Sequence, residues 1–382
     1  MKIVIIDQKA TPYSEKLIMG GVQSIIKCQL RLLKNDEVLF ITSNNSEISS
    51  YENVTTKKVS VDSKYVSDLS GIKYNKKRNA DILKYIHQFY PDIIINHDQS
   101  NNSVVKMLGD LDYPSITYMH NCPEVIGGIA GLSYVDTLVE YAIKNKLIVN
   151  VSDFSKKEWI KYFSKCKKDG ELYLNTTHHA LVNYDNIVPT KPENYILMIS
   201  RISKDKRIHS AIELCKKANK KIILIHTSPR DEKEQEYFNL IEKELDIENR
   251  YCDISREQTL DILSKAEYVI VAGPEGMPLV PIEANLYGVP VIIYNSKTEH
   301  AAKEACSFGE EYGSYIHLST NKSECIEILK NIKSVDIDQK NSISKITVEY
   351  FSEETSYKRL MSVIEKSIKI NSVRKNDISL FL

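Results

Sequence analysis

Residues 269–293 constrain the chain more than any other stretch. Val269-Ile270-Val271 is a β-branched apolar run of the kind found in strands buried on both faces, and Gly273-Pro274 stops it. Pro278 and Pro281 fit a helix only near its start, where a missing N–H costs nothing. Leu279, Ile282 and Leu286 recur at helical spacing, and Gly288 stands where a left-handed residue would end the helix. Residues 289–293 then open the next strand. Two carboxylates, Glu275 and Glu283, thus bracket a helix start at the carboxyl end of a strand. Open α/β sheets take ligands at that edge, and helix N-termini attract phosphate.

The same alternation runs through both halves. In the first, residues 2–7 read as a buried strand, and Gly20-Gly21-Val22 leads into a helix with Ile25, Ile26, Leu30 and Leu33 on one face. Strand, glycine turn and helix is an arrangement that cradles phosphate, although glycines that simply permit a sharp turn read the same way. Strands follow at 38–42, at 93–95 ending in Asn96-His97-Asp98, at 115–119 ending in His120-Asn121, and at 146–151. Ser152 is placed to cap a helix over 153–164. Residues 180–185 resemble the closing strand of a first α/β domain, and prolines at 189 and 192 punctuate a linker near 186–193.

In the second half, residues 195–200 form a strand followed by Arg201-Ile202-Ser203-Lys204-Asp205-Lys206. A further strand spans 221–226, and the helix over 231–245 should turn Tyr237, Leu240, Ile241 and Leu245 inward. Tyr251 and Cys252 precede a helix over 256–265, which Ser255 and Gln258 cap as a reciprocal box. Helices over 300–306 and 322–333 flank a strand at 315–318. The segment 343–370 reads as helical, with Phe351, Tyr357, Leu360 and Ile364 as its apolar points.

The Glu275-x7-Glu283 spacing, with Gly276 after the first Glu and Arg201-x4-Lys206 upstream, resembles the retaining, nucleotide-sugar-dependent glycosyltransferases of family 4 type. Gly20-Gly21-Val22 and His120 are similar to the first-domain motifs of that family. The resemblance implies the GT-B architecture: two doubly wound, Rossmann-like α/β domains facing a cleft, with the last helix crossing back to the first. The expected boundaries are 1–187 for an acceptor-side domain, 188–345 for a nucleotide-sugar domain, and 346–382 for the returning helix and tail.

The resemblance also implies roles. Arg201 and Lys206 would neutralise the donor diphosphate, Glu275 would contact donor-sugar hydroxyls, and Glu283 would hold the ribose. His120 would contact the transferred sugar, and Tyr251 and Cys252 would lie beside the base. Gly20, Gly21 and Val22 would face the diphosphate and sugar, and the backbone of Gly276, Met277, Pro278 and Leu279 would hold the diphosphate. Pro278 departs from the family, which usually has glycine there, and proline supplies no N–H. No metal or other cofactor is expected.

Composition excludes several classes. The chain of 382 residues has 51 basic and 51 acidic side chains, so no global field favours nucleic acid or membrane. Seven scattered cysteines without a Cys-x2-Cys pair suggest a reducing compartment rather than a zinc site or disulfide framework. No stretch reaches membrane-spanning length, which suggests a soluble, cytoplasmic protein, with a peripheral place on the inner membrane surface left open. Two Lys-rich segments, from Lys73 to Arg78 and from Lys156 to Lys168, read either as solvated helix faces or as surfaces for polyanions or membrane.

The expected activity is therefore sugar transfer from a nucleotide-diphosphate sugar, a UDP-sugar first, to a hydroxyl of a glycan or glycolipid. A hydroxymethylated base of phage-type DNA is the alternative acceptor. A sugar-nucleotide epimerase or a non-catalytic phosphate-ligand binding protein is the rival on the same fold. The sequence leaves the oligomeric state open.

Overall fold

The computed structural model describes residues 1–8, 21–44, 46–48, 51–59, 76–99, 102–120, 123, 136–142, 144, 146–165, 174–176, 187–273, 278–294 and 301–379. They form two compact units, one of residues 1–182 and 351–382, the other of 183–350.

The first unit holds a parallel sheet of strands β1 (Lys2–Ile6), β2 (Glu37–Ser43), β3 (Val54–Val59), β4 (Ile93–Asn96), β5 (Ser115–Met119), β6 (Leu147–Asn150) and β7 (Leu174–Thr176). Their order is β3-β2-β1-β4-β5-β6-β7, and every pairing is parallel. The central strands are almost pure Ile and Val, because a strand covered on both faces has no side to give to water. The helix Glu353–Ser379 belongs to this unit and is tied to it by polar contacts. Asn371 accepts from the buried Lys146 ammonium at 3.1 Å, and Ser367 donates to the Ser115 carbonyl at 3.3 Å.

The second unit repeats the design with β8 (Ile196–Ile199), β9 (Ile222–His226), β10 (Arg250–Cys252), β11 (Tyr268–Val271), β12 (Val291–Tyr294) and β13 (Tyr315–Leu318), ordered β10-β9-β8-β11-β12-β13. Both sheets reverse strand order once among these strands, between β1 and β4 and between β8 and β11. Those two switch points are where such folds open a crevice at the strand ends.

Several expectations are corrected. Leu240 is exposed, because the inward face of the helix Glu232–Glu242 carries Glu234, Tyr237 and Ile241. The helical segment 343–370 is two helices, Ile337–Tyr350 and Glu353–Ser379, broken at the buried Phe351, and Tyr357 faces solvent. The strand expected at 180–185 lies mostly outside the described residues, and the first sheet's last described strand is β7. Arg78 is not part of a solvated basic face but is buried. In the other Lys-rich segment, Trp159 and Phe163 are buried while Lys157 and Lys161 stay exposed, so the helix Asp153–Lys165 is core-packed with a solvated basic side. Lys73, Lys167 and Lys168 lie outside the described residues.

The helix Leu279–Leu286 ends as its glycine implies. Gly288 has φ +69°, its N–H bonds the Asn285 carbonyl at 2.9 Å, and Val289 N–H bonds that of Ala284 at 2.8 Å. A Cβ on Gly288 would stand 2.1 Å from the carbonyl oxygen of Lys340, which is itself buried and donates to the Ser264 carbonyl at 2.8 Å. Gly288→Ala should therefore lose roughly 2–5 kcal/mol, the left-handed cost plus overpacking, read as a lower urea midpoint at unchanged slope.

Candidate active site

The second unit's switch point assembles two segments that are far apart in sequence. The chain leaves β8 through Arg201 and turns through the short 3₁₀ helix Lys204–Lys206, with Arg207 left-handed at φ 51°. The chain leaving β11 reaches Gly273, where a Cβ would stand 2.5 Å from the Asp205 carbonyl oxygen and 2.7 Å from the Lys206 Cα. Only a glycine backbone fits so close, so the end of β11 is pressed onto the loop that carries Arg201 and Lys206.

Arg201 is half-exposed and forks onto Asp205, with Nη2 at 3.1 and 3.3 Å from its two oxygens, and Nη1 lies 3.7 Å from Glu234. Burial would raise the Asp205 carboxyl, but the Ser203 hydroxyl, Arg201 and Lys206 outweigh it and hold it below the ordinary range. Glu234 is held low chiefly by its ion pair with Arg230. Arg201, Lys206 and Arg230 thus stand among the carboxylates of Asp205, Glu234 and Asp231 beside the strand end.

Glu283 lies within the helix Leu279–Leu286 and is 7% exposed. Arg256, the first residue of the helix Arg256–Lys265, reaches both its oxygens: Nη2 to Oε1 at 2.7 Å and Nη1 to Oε2 at 3.1 Å. This planar fork fixes the carboxylate's orientation. Tyr251 and Cys252 sit on the edge strand β10, directly ahead of the turn that leads to Arg256. Ser255 and Gln258 form the expected capping box, so the position of Arg256 is set by its own helix start.

In the first unit, Gly21 and Val22 open the helix Gly21–Leu32. His120 follows β5, is buried, and bonds through Nε2 to His97 Nδ1 at 2.9 Å, while its backbone N–H donates to Gln99 Oε1 at 2.6 Å. Burial pushes the His120 imidazole down to about 3, so it stays neutral. Beyond the end of β1, Asp7 is fully buried beside the Arg78–Asp98 ion pair, whose closest approach is 2.9 Å. Burial raises the Asp7 carboxyl to about 7, against the opposing bond from Thr42 at 2.7 Å.

Pro278 and Leu279 are the helix cap and first helical residue, as expected. Gly20, Glu275, Gly276 and Met277 lie outside the described residues. Among the described residues, no group of three or more His, Cys, Asp or Glu is placed to hold a metal ion. No helix among them is long and apolar enough to cross a membrane.

Residues 184–302 match the family model described as Glycosyl transferases group 1. Arg201, Lys206, Gly273, Arg256 and Glu283 all fall within that segment. No curated protein matches the chain by sequence. The chain is similar in structure to a UDP-forming α,α-trehalose-phosphate synthase from Burkholderia xenovorans, at 13% identity and TM-score 0.67, covering 95% of this chain and 98% of that one. It is also similar to an E. coli protein of the trehalose-6-phosphate system bound with UDP-2-fluoro glucose, at 12% identity and TM-score 0.66, covering 96% and 99%. A third is AviGT4, a glycosyltransferase involved in avilamycin A biosynthesis, at 13% identity and TM-score 0.58, covering 96% and 98%. The fold is the two-unit α/β fold of these GT-B glycosyltransferases.

Arg256 escapes sequence reasoning, because it meets Glu283 across 27 positions, whereas Asp205 and Glu234 each pair with an arginine four residues earlier, a local spacing that is the signal for them. Asp7 is different: it is simply the first polar residue after an apolar run, which marks a strand end and not its burial.

Asp7 makes stability depend on pH with a defined sign. From about pH 4 to about pH 7 the unfolded chain has lost the Asp7 proton while the folded chain keeps it, so this residue's contribution falls as pH rises and levels off above 7. Asp7→Asn should remove that slope. Its urea stability relative to the parent should rise by on the order of 1 kcal/mol per pH unit between pH 5 and 7, and a pH-independent difference would refute the assignment.

Proposed function

We propose that the protein is a retaining glycosyltransferase of family 4 type that moves a sugar from a nucleotide-diphosphate sugar, with a UDP-sugar as donor, to a hydroxyl of a glycan or glycolipid. One observation carries this reading: Gly273 closes directly onto the Arg201–Lys206 loop at the switch point of a unit that matches the group 1 glycosyltransferases. The cations there suit a diphosphate better than an uncharged sugar.

In the proposed reaction the bond between the sugar C1 and the β-phosphate oxygen breaks, and the acceptor oxygen bonds to C1 on the same face. The acceptor proton passes to the departing phosphate, giving nucleoside diphosphate and glycoside. Arg201 and Lys206 stabilise the charge that grows on the diphosphate as that bond breaks. An incoming diphosphate competes with Asp205 for Arg201, and it is the stronger rival because it carries more charge. No metal is assigned a part in this reading.

Glu283 takes the ribose hydroxyls. The Arg256 fork fixes the plane of that carboxylate, and a carboxylate accepts from hydroxyls such as those of a ribose. Glu275 is assigned the donor-sugar hydroxyls, and the N–H groups of Gly276, Met277 and Leu279 the diphosphate. Pro278 contributes none of these, which puts more of the anion's binding on the two cations. The uridine donor is favoured because one similar structure is of a UDP-forming enzyme and another holds a UDP-sugar analogue.

The test is thermal unfolding across UDP-, GDP-, ADP- and TDP-sugars without added metal. One nucleotide at a hundredfold its Kd should stabilise the protein by about 2.7 kcal/mol, and Glu283→Ala should abolish the shift. A flat response to all four would end this reading.

Arg201→Ala and Lys206→Ala should each lower kcat on the order of 100-fold with a smaller change in KM, since they act most on the departing charge. Parent-like kcat in both would remove these residues from the site.

A further inference from the structure

One buried carboxylate holds two arginines at the strand ends of the second unit. Glu234 sits in the first turn of the helix Glu232–Glu242 and folds back over the helix start, accepting from the Arg230 backbone N–H at 2.9 Å. Arg230 Nε lies 3.1 Å from each of its oxygens, and Arg230 Nη2 bonds Oε1 as well. The same Oε1 stands 3.7 Å from Arg201 Nη1. Strand β9 is the parallel neighbour of β8, so Arg230, in the turn beyond β9, and Arg201, beyond β8, leave adjacent strand ends at one edge of the sheet.

An Arg and a Glu four residues apart are most often a solvent-screened pair that only steadies a helix start. Three observations separate this pair from that case. The carboxylate is buried while its arginine is 59% exposed, so the acid is the fixed end and the guanidinium faces outward. The fork occupies Nε and Nη2, and Arg230 Nη1, with its two N–H donors, has no hydrogen-bond partner among the described residues. Arg201 is held in the same manner, its Nη2 on Asp205 and its Nη1 toward Glu234, and Asp205 is near enough to Arg230 to favour its charge too. Two partly exposed guanidiniums are thus braced on shared carboxylates, the arrangement that takes an oxyanion on their remaining N–H groups.

We propose that Arg230 is a further binding residue for the donor diphosphate and that Glu234 is its positioning residue, setting the Arg230 guanidinium beside that of Arg201. The identity of the anion as a nucleoside diphosphate rests on the glycosyltransferase reading; the pairing of the two guanidiniums does not. Arg230 also answers the chemistry of Pro278, because a loop that lacks one N–H leaves part of the anion to be met by a side chain. Without Arg230, the buried Glu234 would have Arg201 as its nearest cation and would draw that arginine away from the diphosphate.

The test is titration of the full chain with UDP, with inorganic pyrophosphate, and with uridine as the ligand that lacks phosphate. Arg230→Ala should weaken UDP and pyrophosphate about tenfold each and leave uridine unchanged, since one charge-assisted contact to phosphate is lost. It also strands Glu234, so its melting temperature should fall. Adding Glu234→Gln should restore the melting temperature but not the affinity for either phosphate ligand. Recovery of that affinity in the double variant makes Arg230 only a counter-ion of Glu234 and overturns the proposal. Parent-like UDP affinity in Arg230→Ala overturns it and leaves the transferase reading standing, and equal losses for uridine and UDP overturn it as a general deformation of the site. If pyrophosphate binding depends on Arg230 while neither UDP nor a UDP-sugar binds, the transferase reading fails and the paired-arginine site stands. A parent that binds neither UDP nor pyrophosphate ends both.

Discussion

The contact on which the second unit's chemistry depends is the closure of Gly273 onto the backbone of Asp205 and Lys206. It joins the end of β11 to the end of β8, the two strands between which the sheet's order reverses. A Cβ at 273 would overlap the Asp205 carbonyl oxygen and the Lys206 Cα, so a side chain there would force the end of β11 off the segment that carries the cations. The requirement is steric before it is electrostatic: the charges act together because the backbones touch. Arg256 does the corresponding work for Glu283, fixing the orientation of a buried carboxylate.

The two units share a strand order but use their switch points differently. In the second, the cations at the strand ends are partly open to solvent and balanced by nearby acids, an arrangement an incoming anion can rearrange. In the first, the polar groups beyond β1, β4 and β5 are buried. Asp7 accepts from Thr42, Arg78 pairs with Asp98, and His97 bonds both Gln29 and His120. Burying so many polar groups is costly unless each is matched, and the geometry follows from that matching. It also explains why protonation states there depart from those of the free side chains.

The strands covered on both faces were legible because Ile and Val runs have little other use in a soluble α/β chain. The edge strand β3, Val-Thr-Thr-Lys-Lys-Val, was not, since an edge keeps polar and charged residues and its pattern reads like a loop. Leu240 failed for a related reason: helical spacing offers a face, and the ion pairs of Glu234 took the inward place a leucine would have had. The break at Phe351 carries neither glycine nor proline, so nothing local announced it.

What the sequence by itself determined was local: strand, turn and helix in alternation, a capping box at Ser255, a left-handed stop at Gly288, and two cations and a carboxylate in a recognisable order. These follow from backbone sterics and hydrophobic period, which act over a few residues. Tertiary structure alone decided which of these groups meet. That Gly273 touches Asp205, that Arg256 grips Glu283, and that Gln29 meets His97 are outcomes of strand order and packing. Such contacts join residues dozens of positions apart, and only a closed core brings them within the few ångströms at which hydrogen bonds and charges act.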